Sequence, residues 1–130
     1  MKPLTLSAIA VTAAALVLGI VLQPAEPEAP GITMPDLSAT ALVGQTLFDE
    51  NCAACHGAAG SGTDQGPPLI HVIYEPSHHG DRAFLIAAQY GVRAHHWQFG
   101  NMPPVEGVTP EDVMQIVAYV REVQRANGIK

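Results

Sequence analysis

Two thiols and an imidazole stand together at Cys52-Ala53-Ala54-Cys55-His56. Their spacing is C-x-x-C-H, the pattern at which a c-type haem is attached. Two thiols three residues apart can each add to one vinyl group of a single porphyrin, forming two thioether bonds. One helical turn from Cys52 to His56 then carries the imidazole to the iron on the same side. A His holds one face of the iron, and the opposite face is left for a second ligand.

Three other readings of these residues compete. The first is coincidence. The chain has two Cys and six His in 130 residues, and a chance match to the pattern arises roughly once in a thousand such chains. A redox C-x-x-C of the thioredoxin type wants the pair to open a helix after a buried strand, whereas the segment before Cys52 reads as helix. A zinc site completed by His78 or His95 lacks the H-x(3–5)-H spacing that would support it.

The second ligand is sought among residues that a stiff segment can present. Asn101-Met102-Pro103-Pro104 puts Met102 in extended backbone, because the residue before a Pro avoids the helical region. A Met elsewhere is a soft core filler, but here the Pro pair stiffens the loop and the iron needs a sixth ligand. On the other side, Pro67 and Pro68 fix an extended path with free carbonyls. Such a carbonyl can take the second imidazole proton of His56, the usual support for a ligating His.

The elements that position these residues read as helices joined by loops, an all-α pattern. Ser38 to Glu50 has helical character, carried by Leu47 and Phe48 beside Val43 and Gly44. A Gly inside a helix costs about 1 kcal/mol against Ala, so Gly44 needs a packing reason, such as the close approach of another helix. Residues 57–66 are a loop of small residues, and residues 71–79 an irregular one. Asp81 reads as the N-cap of a short helix over residues 83–90, with Phe84, Leu85 and Ala88 as its apolar face and Gly91 just past its end. Residues 93–100 form a further loop. Thr109-Pro110-Glu111-Asp112 is a strong helix start. Val113, Ile116, Val117, Val120 and Val123 then form one apolar stripe, and the helix runs to about Ala126.

The formal charge is −6 at pH 7 and the six basic residues are scattered. Nucleic acid is excluded as a partner, since phosphate contacts need clustered Lys and Arg. Aromatics are few, so a packed core of ordinary size is marginal for one small domain, and a covalent haem supplies apolar volume.

Residues 4–22 are almost wholly apolar and uncharged. As a helix they span about 28 Å, close to the hydrocarbon thickness of a bilayer. The small-x-small sites near the end of this stretch are poor, which favours an uncleaved anchor over a cleaved signal peptide. Lys2 before the span, with Glu26 and Glu28 after it, places the N-terminus in the cytoplasm and the rest outside. The expected organisation is therefore a membrane anchor or signal peptide over residues 1–23, a Pro-rich linker over 24–36 and a haem domain over 37–130. The linker is semi-rigid, lies outside the core and has a reach of roughly 35 Å.

Taken in order, Cys52-Ala53-Ala54-Cys55-His56-Gly57, Gly66-Pro67-Pro68-Leu69, Asn101-Met102-Pro103 and a terminal helix with Tyr119 resemble a class I c-type cytochrome of the small, monohaem, membrane-attached bacterial kind. The resemblance covers about Thr40 to Arg125. It implies a small cytochrome c fold of three to four helices around one covalent haem c, with an N-terminal transmembrane or signal helix in addition. It implies His56 and Met102 as axial iron ligands and Cys52 and Cys55 as thioether anchors. The Pro67 carbonyl would orient His56, Leu69 would touch the haem, and Trp97 or Arg93 would bond a propionate. Gly44 and Phe48 would cross the last helix at Tyr119. The only Lys beyond the N-terminal span is Lys130, so a basic docking ring is absent. The paired histidines His78-His79 and His95-His96 are extra to the family's pattern.

The first functional reading is a non-enzymatic electron carrier. It would work at the outer face of a bacterial inner membrane, with its haem domain in the periplasm, or be soluble there if the signal is cleaved. Its partners would be redox proteins of membrane electron-transfer complexes. The second reading is a haem peroxidase or a gas or redox sensor, with His95 or His96 serving an open iron site. The third adds a copper or zinc site built from His71, His78, His79, His95 and His96; in its bland version these side chains cap, bond propionates or face solvent. The covalent reading has a direct check. The intact mass of the purified protein should equal the polypeptide plus one haem, and the pigment should stay with the denatured chain in acidified organic solvent; free extraction of the pigment would count against it.

Overall fold

The computed structural model describes residues 31–130. The membrane anchor or signal expected over residues 1–23, and most of the linker, lie outside the described residues. Among the described residues no helix is long and apolar enough to cross a membrane.

Four helices follow one another, with no strand among the described residues: α1 (Ala39–Asn51), the single turn α2 (Ala53–His56), α3 (Asp81–Tyr90) and α4 (Pro110–Ala126). Short 3₁₀ turns at Ala58–Gly60 and Val72–Tyr74 lie inside the two stretches read as plain loops. The all-α expectation holds for this part of the chain.

α4 is the spine. Its start carries a capping box: the Asp112 N–H donates to Thr109 Oγ1 (3.2 Å) and the Thr109 N–H to Asp112 Oδ2 (2.8 Å), with Pro110 opening the helix. The expected stripe is buried from Val113 to Val123, and Tyr119 is buried with it.

α1 packs on α4 through Ala41, Gly44 and Phe48, a set spaced i, i+3, i+7. The neighbouring Leu42 and Val43 are exposed, so Val43 contributes nothing to the buried face the sequence suggested. Gly44 has the packing reason it needs. A Cβ there would lie 1.9 Å from the Gln115 carbonyl oxygen of α4, so the two backbones touch. One turn on, the Phe48 and Tyr119 rings meet at 5.5 Å between centroids, tilted by 56°. Such a pair is worth about 1 kcal/mol beyond the area it buries. At the head of α1, the Ser38 N–H and hydroxyl both donate to the Glu122 carboxylate (3.0 and 2.7 Å). These two bonds hold the Glu122 carboxyl below its ordinary value.

Three expectations are corrected. First, the linker does not stay outside the core over its last residues. Ile32 and Met34 pack against the core, and Thr33 exchanges two backbone-to-amide bonds with Asn127 at the end of α4 (2.9 and 2.8 Å). Apolar residues between the prolines found a surface to cover. Second, α3 begins at Asp81 and its N-cap is Gly80. Third, Asp81 is not the cap, because its carboxylate accepts from Arg121 Nε of α4 at 2.8 Å.

Arg121 is itself buried. It donates from Nη1 to the Tyr74 carbonyl and to Gln124 Oε1 (both 2.6 Å) and from Nη2 to the His79 carbonyl, and it lies over the Phe84 ring. Gln124 Nε2 adds bonds to the carbonyls of Leu69 (2.9 Å) and Tyr74 (3.0 Å). This network fastens the irregular stretch between Leu69 and His79 to α4.

The α1–α4 contact yields a test. In an ordinary helix interior Gly→Ala stabilises by about 1 kcal/mol. At Gly44 the sign should reverse, with Gly44→Ala lowering stability by about 1–3 kcal/mol or more, as overpacking does. A urea midpoint that falls confirms the backbone contact, and one that rises refutes it.

Candidate functional site

Cys52 ends α1, its N–H bonded to the Phe48 carbonyl at 2.8 Å. The next turn begins at once. The N–H groups of Cys55 and His56 both bond to the Cys52 carbonyl, at 3.1 and 2.9 Å. The thiol-imidazole turn is therefore an extension of the helix that is locked to α4. Both thiols are free, Cys52 half-buried and Cys55 exposed. Burial first, then the neighbouring Cys55 and Asp49, push the Cys52 thiol up to about 11. A nucleophilic redox thiol is held low, so this environment argues against the thioredoxin reading.

His56 Nδ1 lies 2.9 Å from the Pro67 carbonyl oxygen. A carbonyl can only accept, so Nδ1 carries the proton and Nε2 keeps its lone pair. Burial lowers the basicity of this imidazole, against the raising effect of the Pro67 bond. The ring is thus held neutral and oriented as a metal ligand must be.

Cys52, His56, Pro67, Leu69, Trp97 and Met102 line one cavity of about 570 Å³. Arg93 lines it as well; Cys55 does not. His79, His95 and His96 also line it, and the rest of the walls are mostly apolar, with Phe48 and Ile116 from the α1–α4 contact and Ala83, Phe84, Ala87 and Ala88 from α3.

Met102 is held more firmly than its prolines alone require. It forms an isolated antiparallel bridge with Val92, the two residues exchanging N–H···O bonds of 2.9 and 3.0 Å. Gly91, just before Val92, has φ 74° and ψ −179°, a region essentially reserved for Gly. A Cβ there would lie 2.5 Å from the Met102 carbonyl oxygen. Gly91 therefore does more than end α3: it lets the Met102 strand lie against the chain leaving that helix. Sequence reasoning missed this role, along with Arg121 and Gln124. The signal for the latter pair was present, since both fall on the apolar face of α4, at the i+4 and i+7 positions from Val117.

The histidines divide. His71 stands apart, its Nδ1 accepting from the Ile73 N–H at 3.2 Å and its ring edge-on to Trp97 at 5.1 Å. His78, His79, His95 and His96 crowd together. Among the described residues, only His78, His79 and His96 place three His, Cys, Asp or Glu ligand atoms close enough to share an ion. Neither cysteine belongs to that group, which removes the zinc reading of the Cys pair.

The family model for cytochrome c matches residues 41–124. The chain belongs to the cytochrome c family. It is a class I c-type cytochrome and carries covalently bound haem c. A curated relative, the cbb3-type cytochrome c oxidase subunit CcoP of Rubrivivax gelatinosus, is 36% identical over 86 residues, which are 65% of this chain and 26% of that protein. The cytochrome thus spans a minor part of that relative's length. Among solved structures, cytochrome cL from the marine methylotrophic bacterium Methylophaga aminisulfidivorans is similar over 63% of this chain and 51% of its own, at 26% identity and a TM-score of 0.49.

The residues present fit the haem. The cavity is apolar, has a thiol and an oriented imidazole in its wall, and holds one orphaned donor. Trp97 Nε1 is buried with no hydrogen-bond acceptor at bonding geometry. The Tyr74 hydroxyl is near enough for the indole to lower the phenol against the burial that raises it, yet it does not satisfy the N–H. A buried donor left unmade is expensive, and a haem propionate oxygen is one acceptor that would satisfy it.

Gly91→Ala tests the seating of Met102. The substitution should cost about 1–3 kcal/mol from backbone strain and displace the Met102 strand. The protein should still carry covalent haem while its oxidised spectrum loses the thioether-to-iron charge-transfer band. Retention of that band at full intensity would show that Gly91 does not govern the strand.

Proposed function

We propose that this cytochrome carries single electrons between redox proteins, with His56 and Met102 as the two axial ligands and Cys52 and Cys55 as the covalent anchors. The observation that carries the reading is that one apolar cavity is lined both by an imidazole whose tautomer is fixed and by a Met whose backbone is fixed. The haem supplies the one-electron couple between ferric and ferrous iron. The chain's residues do the rest. The Pro67 carbonyl accepts the His56 Nδ1 proton, so the ring does not turn as charge changes. The Val92 bridge keeps Met102 from swinging away. A Met ligand favours the reduced state and raises the potential. Phe48, Leu69, Phe84 and Ile116 exclude water, which keeps reorganisation small. Trp97 and Arg93, which line the cavity, would hold the haem propionates.

The peroxidase or sensor reading needs an open iron face served by His95 or His96. Both line the cavity, but His95 is engaged through Nδ1 with the Arg93 carbonyl at 2.8 Å and both lie within the histidine cluster. Met102 has the more rigid support, which favours the carrier.

The location follows from the sequence rather than from the fold. The apolar stretch over residues 4–22 is read as a membrane anchor or a cleaved signal, placing the haem domain on the periplasmic side of a bacterial inner membrane. The named relative is a subunit of a cbb3-type oxidase. A membrane electron-transfer complex of that general kind is the partner we infer, reached by a domain whose tether keeps it at high local concentration.

Two substitutions test the ligand pair. The wild-type protein should be low-spin in both oxidation states, and its ferrous form should not bind carbon monoxide rapidly. Met102→Ala should open the iron and allow that binding. Met102→His should keep the low-spin spectrum and lower the midpoint potential, by a substantial part of the roughly 0.8 V that axial ligands command. Rapid carbon monoxide binding by the wild-type protein would overturn the carrier reading in favour of the open-site one.

A further inference from the structure

Four imidazoles meet beside the cavity, brought there by two loops, and three of them (His79, His95 and His96) line it. His78 and His79 end the stretch that Arg121 fastens to α4. His95 and His96 lie in the loop between Val92 and Met102. The His78 ring is 4.6 Å from His79 and 5.0 Å from His96, and His79 is 5.3 Å from His96. His95 is 4.4 Å from His96 and stacks on His79 at 5.9 Å.

Their hydrogen bonds show which nitrogens are free. His78 Nδ1 and His79 Nδ1 both lie on the Ile73 carbonyl oxygen, at 3.0 and 2.6 Å. Since that oxygen can only accept, both rings carry their proton on Nδ1 and leave Nε2 with a lone pair. This is the support that metal-ligating histidines receive from a backbone carbonyl. One ring nitrogen from each of His78, His79 and His96 lies within 4.8 Å of the other two. Three nitrogens bound at about 2.0–2.1 Å around one ion lie about 3.3–3.6 Å apart. The three therefore close on an ion when separations of up to 4.8 Å shorten by about 1–1.5 Å, a rotamer-scale movement that the two exposed side chains, His78 and His96, can make. The base of the site is already fixed, because the Tyr74 and His79 carbonyls are held by Arg121.

We propose that His78, His79 and His96 bind one first-row transition-metal ion, with copper preferred, in a site distinct from the haem iron. Three imidazoles suit copper and zinc, and at equal geometry the divalent series places copper above zinc. His95 stands beside the group as a neighbour with its own Nδ1 tied to Arg93. His79 and His96 also line the cavity that holds the proposed axial ligands, so the ion lies at the edge of the redox centre. The ligand set itself does not depend on how the iron is ligated.

The experiment uses the haem-loaded full chain and copper(II) alone. After exposure to a small excess of copper(II) and dialysis against buffer, the copper-to-iron ratio is measured by atomic emission, and the copper signal by electron paramagnetic resonance. The expected result is one copper per iron with nitrogen hyperfine structure. His78→Ala and His96→Ala should each weaken binding at least tenfold, the double variant should retain none, and His71→Ala should behave as wild type. The haem absorption spectrum of His78→Ala, a residue outside the cavity lining, should match that of the wild type, which shows that the fold is intact and separates this test from that of the axial ligands. Loss of all copper from the wild type on dialysis, equal retention by the double variant, or displacement of bound copper by equimolar zinc would each overturn the proposal.

Discussion

At Gly44 the backbone of α1 touches the backbone of α4 with no side chain between them, and the geometry of the site descends from that contact. α1 ends at Cys52, whose carbonyl starts the turn that carries Cys55 and His56. A rotation or slide of α1 would move both thiols and the imidazole together. The tilted Phe48–Tyr119 pair fixes the rotation, and the Ser38–Glu122 bonds resist the slide. One helix interface thus aims the covalent anchors. This is economical for a small domain, whose surface-to-volume ratio leaves little apolar area to spend on orientation.

The opposite wall is aimed differently. Between Leu69 and His79 the chain satisfies some of its own carbonyls, through one 3₁₀ turn and the turn in which the His78 and His79 N–H groups bond to the Glu75 carbonyl, and the carbonyls of Leu69, Tyr74 and His79 need other donors. Arg121 and Gln124 provide them from α4. A buried guanidinium is costly unless its hydrogens are all placed. Here Asp81 supplies the opposite charge, while Tyr74, His79 and Gln124 take hydrogen bonds. The same network ties α3 to α4 through Asp81. It therefore positions Phe84 against the cavity and sets the base of the histidine cluster at once.

What could be read from the sequence was what is local. C-x-x-C-H acts within one turn. Thr109-Pro110-Glu111-Asp112 caps its own helix, and the Val stripe of α4 is a period along one element. The Pro67 carbonyl was within reach because His56 lies only eleven residues away and the prolines leave an extended path. What could not be read depended on residues far apart. Asp81 looks like an N-cap until Arg121, forty positions on, takes its carboxylate. Ile32 and Met34 look like spacer until the far end of α4 offers Asn127 as a partner for Thr33. The five histidines look like one group until His71 turns to Ile73 and Trp97. In each case a polar or apolar group was correctly identified and its partner was not, because no sequence period connects the two.

The two walls differ in stiffness in a way that suits the proposed chemistry. An electron carrier gains nothing from a ligand that moves, since each ångström of motion between oxidation states adds to the barrier for transfer. His56 is held by a helix turn and a carbonyl. Met102 hangs on a loop, where greater freedom is expected, yet it is drawn into a two-bond bridge, with a Gly beside it that admits no side chain. The histidines between Val92 and Met102 lie in the excursion that this bridge closes. Closing the loop at its base fixes the Met and leaves the tip free to carry exposed imidazoles. The same bridge that suppresses motion at the proposed iron ligand thus permits it a few residues away, where a second ion would need the rings to close around it.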